Sequence, residues 1–522
     1  MVNRTKGKRS RVRSRSKNNR QQPSFSGRVR DAHGRLSEAD TERKAGNIAK
    51  AIKLCETLID QYPDYVGALH ILGLAHMAQR AYWPALSCFV RAAMLNPQDW
   101  TILTSLAQAY LGLEANEMAA RTLELARAIN NDDVEVHYTL GLIYDRQREY
   151  EAASAAFNRA MELDPGHALA AFSCGLCATH LGDLEMAAKA FLASHDADPN
   201  LIAPITATAQ LPAALSRFDV ESALSKVAQT SAKSEKDHKI HVAFTRAHIL
   251  HGKCEHESAW AELKRANDPL ASRYAQDLAR HRERREAITI RAKAYRAPKT
   301  LPVATASEIP VSLFILGISR SGKTTLERLL DRIPGIKRGY ENPIVEIAVS
   351  RTSQEAGLLT MNQLGDLPAD LGGKFALHYT NNLRIRAKSA DVFTNTNPGR
   401  VADVGRLAEL IPNVRFVFIT RNRADTALRI YLKHFREGGN AYAYDLDSIF
   451  AEIDWYHDMF AIWQERLGDI CLCVTYEEMI ADPAGQVARV AAHCGLRITP
   501  GEMPAIGDDR GCAEPYSTLM AR

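Results

Sequence analysis

The sequence predicts an α-solenoid of short helical repeats followed by an α/β P-loop-like domain with a parallel sheet. Three observations predict this pairing. Positions in the first part of the chain recur at a step of 34 residues, as Pro63, Pro97, Asn131, Pro165 and Pro199 show. An apolar run, Val311 to Leu316, leads into Gly317, four residues, Gly322, Lys323 and Thr324, then into the helical spacing of Leu326, Leu329 and Leu330. Beyond it, apolar strand-like runs alternate with helical segments, the pattern of a parallel, doubly wound sheet. At 522 residues the chain is too long for one compact core.

The repeat elements follow from the period. The step of 34 also relates Gly73, Ala107, Gly141 and Gly175. It relates Ala51, Ala85, Ala119, Ala153 and Ala187, and again Phe89, Leu123, Phe157 and Phe191. Small residues let paired helices approach, and the closing proline stops the second helix. On these residues the stretch from about 32 to 200 resembles the tetratricopeptide family. A degenerate sixth unit is expected near 237–267, where Ala247 and Ala259 keep the offset of Gly73 and Ala85. Pro212 and a helical stretch at 213–232 point to a distorted unit between, so the array runs over 32–267. Stacked repeats form a superhelix with a concave face. That groove suits a peptide or a partner helix, and it serves equally as a spacer or dimerisation platform. Tyr82, Trp83, Trp100, Tyr110 and Tyr144 read as packing residues.

Composition is that of an ordinary globular protein, with 46% hydrophobic and 24% charged residues. Nine scattered cysteines form no disulfide framework, so a reducing, cytoplasmic setting is expected. Cys174 and Cys177 read as small core residues within a repeat helix, and Cys471 and Cys473 as buried filler on a strand. Neither a secretory h-region nor a membrane-length apolar run is present. Residues 1–30 hold eleven Lys and Arg and no acid; without them 55 basic residues face 61 acidic ones. Such a run repels itself, so residues 1–31 are expected to be a disordered basic tail. It reads either as a solubilising segment or as an arm for anionic surfaces. Residues 268–310 read as a helical linker, with a heavily charged, solvated helix over Arg273 to Lys293 and a proline-rich end from Ala297 to Pro310.

Residues 311–522 carry the chemistry. A glycine loop between strand and helix aims backbone N–H groups and a helix N-terminus at a phosphate. Further strands are expected at Val392–Thr396, Val414–Thr420 and Asp469–Thr475, with a helix over Thr426 to Phe435. In such sheets ligands bind beyond the carboxyl ends of the strands. Those ends carry Glu341 after Gly339-Tyr340, Arg421-Asn422-Arg423-Ala424-Asp425, and Tyr476-Glu477-Glu478.

These ordered motifs, with Gly317-Ile318-Ser319-Arg320-Ser321-Gly322-Lys323-Thr324-Thr325, resemble the sulfotransferases that carry N-terminal tetratricopeptide repeats, relatives of the protein-tyrosine sulfotransferases. The resemblance runs from about residue 36 through nearly the whole chain. It implies 3′-phosphoadenosine 5′-phosphosulfate as donor and a hydroxyl-bearing acceptor, with no metal. It implies that Gly317, Arg320, Ser321, Gly322, Lys323, Thr324 and Thr325 hold the phosphosulfate, with Arg320 or Lys323 on the leaving group. Glu341 would be the general base, and Arg421 would bind the 3′-phosphate with Arg429 in place of a serine. The chain departs from the family pattern at Ser319, Lys323, Arg429, Asn395-Thr396-Asn397-Pro398 and Gly511-Cys512-Ala513-Glu514-Pro515, and it ends at Arg522, before the family's final helix.

Two other readings stay open on the residues alone. The complete G-x-x-x-x-G-K-T pattern also fits an ATP- or GTP-dependent kinase or NTPase, which needs an acid after an apolar strand to hold magnesium. The departures also fit a repeat scaffold carrying a decayed transferase domain.

Overall fold

In a computed structural model the described residues are 25–113, 115–212, 217–230, 236–302, 309–358, 364–435, 440–497 and 513–520. Residues 1–24 of the expected basic tail and residues 498–512, with Gly511 and Cys512, lie outside them; the expected tail's last residues, 25–31, instead fall in a helix, Phe25–Lys44. The chain divides into two compact units, Met1–Ile143 and Tyr144–Arg522.

Antiparallel helix pairs make up the first part. They are α1 (Phe25–Lys44), α2 (Ile48–Gln61), α3 (Val66–Ala78), α4 (Tyr82–Leu95), α5 (Trp100–Gly112), α6 (Asn116–Ile129), α7 (Val134–Arg146), α8 (Tyr150–Leu163), α9 (Ala168–Leu181) and α10 (Leu184–Ala197). Less regular helices follow: α11 (Ile202–Ala209), α12 (Val220–Thr230), α13 (Lys236–Gly252), α14 (His256–Arg273) and α15 (Ala275–Ala294). Each periodic proline stands two residues past a helix end, as Pro63 follows Gln61 and Pro165 follows Leu163. The small-residue rule also has a visible cause. A Cβ on Gly73 would stand 2.4 Å from the Phe89 ring, and one on Gly175 would stand 2.4 Å from Phe191. Glycine therefore lets the phenylalanine of the second helix lie against the backbone of the first. Cys174 and Cys177 are buried thiols in α9, as expected.

Three sequence expectations are corrected. Trp83 is 70% exposed, because it falls on the outer face of α4 while Ala85 and Phe89 turn inward. Cys473 is exposed while Cys471 is buried: their strand is an edge strand, and the Cys473 thiol donates to Gln464 Oε1 at 3.2 Å. Helix α15 is not simply solvated. His281 Nε2 and Arg285 Nη1 reach Glu452 Oε2 at 2.9 and 2.6 Å, Arg282 donates to Ser448, and Ile288 and Ala292 are buried.

The second part is a five-stranded, all-parallel sheet in the order β2-β3-β1-β4-β5. The strands are β1 (Val311–Leu316), β2 (Ile336–Lys337), β3 (Val392–Asn395), β4 (Val414–Thr420) and β5 (Cys471–Thr475). β1 and β4 are nearly continuous apolar runs because helices cover both faces, whereas β3 starts apolar and ends in the buried polar residues Thr394 and Asn395. One face packs Leu313, Ile315, Val417 and Ile419 on α16 (Lys323–Leu330) and α23 (Pro483–His493). The other packs Phe314, Phe416 and Phe418 on α18 (Gly372–Ala387), α19 (Val404–Leu410) and α21 (Leu446–Leu467). The helix after β4, α20, spans Arg423–Tyr431, three residues earlier than expected. The Asn422 side chain starts it by accepting from the N–H groups of Ala424 (3.0 Å) and Asp425 (3.1 Å).

Candidate active site

The site forms where β1, β4 and β5 end side by side and where the chain leaves β2. The loop after β1 has two residues in the left-handed region, Arg320 (φ 70°) and Gly322 (φ 105°). Only glycine serves at 322, since a Cβ there would lie 2.5 Å from the Tyr476 ring. This turn hands the chain to α16, where the Gly322 carbonyl takes the N–H groups of Thr325 and Leu326 (3.0 Å each) and those of Lys323 and Thr324 precede the helical ladder. Ser321 Oγ is buried and has no hydrogen-bond partner among the described residues. Thr324 is exposed and Thr325 half-buried at the same helix start. These donors fit an anion with several oxygens.

Lys323 is buried, and its Nζ donates to the carbonyls of Gly317 (2.7 Å) and Ile318 (3.0 Å). An ammonium has three donors, so one remains for a ligand. Burial pushes its pKa down to about 8; Glu341 pulls it up, and Arg320 adds to the fall. Arg320 is open to water, yet crowding by protein, with Arg429 nearby, lowers its pKa too. His248 of α13 lies within the field of Arg320; burial, and then that cation, push its pKa down to about 4.

Arg421, the first residue past β4, is buried with its guanidinium 4.1 Å over the Tyr476 ring. Tyr476 in turn packs on Gly322, so Arg421, Tyr476 and the loop form one stack. Asp425 is buried and accepts from the Ala513 N–H at 2.9 Å. Arg423 turns outward and pairs Asp454 through two 2.8 Å bonds.

Glu341 is held by a different set of residues. Gly339 N–H donates to Thr394 Oγ1 (2.9 Å), Tyr340 N–H to Glu327 Oε1 (2.9 Å) and Asn342 Nδ2 to the Thr394 carbonyl (3.0 Å). Glu327 is itself buried, binds Thr394 Oγ1, and lies 3.6 Å from Arg338 Nε. Burial raises its pKa, against Thr394 and Arg338. Tyr340 sits at φ 55°, an uncommon value for a non-glycine residue. Its ring lies under the Arg338 guanidinium at 4.2 Å. Glu341 follows, about half exposed.

The structure thus brings together Gly317, Arg320, Ser321, Gly322, Lys323, Thr324, Thr325, Arg421, Arg429 and Glu341 around one set of strand ends. It adds residues that the sequence did not single out. The turn before α8 reaches the Glu341 loop: Arg148 Nη2 stands 3.6 Å from Glu341 Oε2, and the Tyr150 and Tyr340 rings meet edge to face at 4.7 Å. His180 stacks on Tyr150 at 4.4 Å. Its pKa falls to about 4 through burial and the cations of Arg148, Lys433, Arg338 and Arg328. No signal in the sequence separates Arg148 from the other charged turn residues.

The strand ends also bear on the magnesium-dependent reading. β3 ends in Asn395-Thr396, β4 in Thr420-Arg421 and β5 in Thr475-Tyr476. Glu477 Oε1 accepts the Asn422 N–H at 3.0 Å and serves as a cap.

Comparison with known proteins matches residues 310–500 to a model described as "Sulfotransferase family", and residues 36–82 and 138–202 to "Tetratricopeptide repeat". Among curated proteins the chain is similar to a Protein-tyrosine sulfotransferase of Drosophila melanogaster, 23% identical over 184 residues, covering 34% of this chain and 36% of that protein. It is also similar to Anaphase-promoting complex subunit 3 of Schizosaccharomyces pombe, 26% identical over 154 residues, covering 30% of this chain and 21% of that protein. The matches therefore span well under half the length of both relatives. Solved structures that resemble it include MamA (24% identity, 31% of this chain and 94% of that one, TM-score 0.28) and a thermophilic TPR protein of Thermus thermophilus (20% identity, 32% and 92%, TM-score 0.30).

Proposed function

Residues 310–500 are a sulfotransferase-family domain carried behind tetratricopeptide repeats, and on that architecture we propose that the chain transfers a sulfuryl group from 3′-phosphoadenosine 5′-phosphosulfate to a hydroxyl of an acceptor that the repeats capture. The observation that carries the reading is the convergence at the glycine loop. Buried Lys323 lies in the fields of both Glu341 and Arg320, and Arg320 lies in that of Arg429. A carboxylate whose field reaches the buried ammonium of an anion-binding loop suits a proton acceptor beside an anionic leaving group.

In this reading the loop N–H groups, Ser321, Thr324 and Thr325 take the phosphosulfate oxygens. Arg421 and Arg429 take the 3′-phosphate; guanidinium suits such paired contacts. The acceptor O–H gives its proton to Glu341 as the new O–S bond forms. The bond from sulfur to the bridging oxygen breaks, and its electron pair stays on the phosphate of 3′,5′-ADP. Lys323 and Arg320 stabilise that charge, so the protein contributes mainly position and electrostatics. The similarity to a protein-tyrosine sulfotransferase makes a tyrosyl peptide the first acceptor to try.

The deciding experiment is calorimetric binding of 3′,5′-ADP compared with ATP and magnesium, followed by transfer of labelled sulfate to a tyrosyl peptide. Binding of 3′,5′-ADP without a magnesium requirement is expected. Magnesium-dependent ATP hydrolysis abolished by Lys323→Ala would assign the site to the NTPase class instead.

A further inference from the structure

The turn before α8, residues 147–149, belongs to the repeats in sequence but meets the transferase domain in space. Arg386 Nη1 donates to the Gln147 carbonyl at 3.3 Å and lies 3.5 Å from Glu149 Oε1. Tyr150 meets Tyr340 edge to face, and Tyr340 Oη reaches Glu151 Oε1 at 3.5 Å. Between these contacts, Arg148 stands 3.6 Å from Glu341 and donates to Tyr150 Oη at 3.0 Å. Its backbone is left-handed (φ 60°), as is Gly182 (φ 86°) one repeat later. Arg80, two repeats earlier, shares this conformation, so strain alone does not mark the residue. What distinguishes Arg148 is the carboxylate it faces.

Glu341 has a second cation within its field, the buried Lys323. A half-exposed carboxylate within the fields of two cations goes to whichever holds it, and the direct contact is with Arg148. A direct pair with Lys323 would cancel both the base and the leaving-group cation. We infer that Arg148 is a positioning residue that keeps the Glu341 carboxylate on the repeat side of the site and away from Lys323. Its Tyr150 bond fixes the guanidinium, and the stacking of Tyr150 on His180 fixes Tyr150. The last step of the repeat array is thereby tied to the proton acceptor. This inference rests on the reading of Glu341 as the base.

The test uses the full chain. Arg148→Ala should lower kcat with a tyrosyl peptide by about 10- to 100-fold, the range for a misplaced reacting group, with KM for the donor unchanged. Arg148→Lys should recover most of the loss. In Glu341→Gln the further change Arg148→Ala should cost nothing, because no carboxylate remains to be placed. Losses that multiply, or a faster Arg148→Ala enzyme, would overturn the inference. A crystal structure of Arg148→Ala with 3′,5′-ADP decides the matter without turnover. Glu341 is expected on Lys323, and a carboxylate left in its original place refutes the role. If Glu341→Gln leaves turnover intact, the base assignment itself fails, separately from the Arg148 result.

Discussion

Lys323 makes the sharpest prediction, because its burial ties donor affinity to pH. Its pKa in the free protein is about 8, against an ordinary 10.5, and burial is the main cause. At pH 7 such a group is about nine-tenths charged, and at pH 9 about one-tenth. A bound phosphate would restore the charged form and so return the pKa to at least its ordinary value. Binding at pH 9 must therefore take up about 0.9 proton, against about 0.1 at pH 7, and affinity should weaken about tenfold between the two. Phosphate groups of the ligand contribute nothing above pH 8, since their second pKa is about 6. The sign for stability follows from the same shift. Between about pH 8 and 10.5 the unfolded chain holds a proton that the folded one has released, so the ligand-free protein gains stability as pH rises there. Titration calorimetry of 3′,5′-ADP at pH 9, in buffers of different ionisation enthalpy, counts the protons. Lys323→Thr should flatten both the proton uptake and the pH dependence. Uptake near zero at pH 9, or a dependence that survives Lys323→Thr, would refute the reasoning.

Three further outcomes are expected. Arg421→Ala should weaken 3′,5′-ADP by about 10- to 100-fold in calorimetry, the loss of one charge-assisted contact of about 1.5–3 kcal/mol, while leaving ATP no better bound. Glu341→Gln should reduce sulfate transfer by about 10²- to 10⁴-fold with unchanged 3′,5′-ADP binding, as for loss of a general base. Glu452→Ala should destabilise the second unit by about 3 kcal/mol in thermal melts, because it strands His281 and Arg285 of α15 beside a buried gap; no change would mean that α15 docks through Ile288 and Ala292 alone.

How much of this was legible in the chain differs between levels. The 34-residue period, β1, the glycine loop and β4 were readable because each is local: a helix pair repeats its own contacts, and a buried parallel strand is an apolar run. Helix α20 began three residues early because a single side chain, Asn422, decided its start. Trp83 and Cys473 were misjudged because residue type says little about which face its neighbours leave uncovered.

By itself the sequence determined the repeats, the alternation of strands with helices and which residue types stand at the ends of β1, β4 and β5, while the sheet order and β2 came from the fold. Only the tertiary structure decided what those residues experience. Arg148 and Glu341 meet across 193 positions of chain, a contact set by how the 147–149 turn docks on the β2 loop. Lys323 is one letter in a motif, and its low pKa comes from the walls that bury it. Charge, proximity and desolvation are properties of packed space, and a linear pattern carries them only where packing is local.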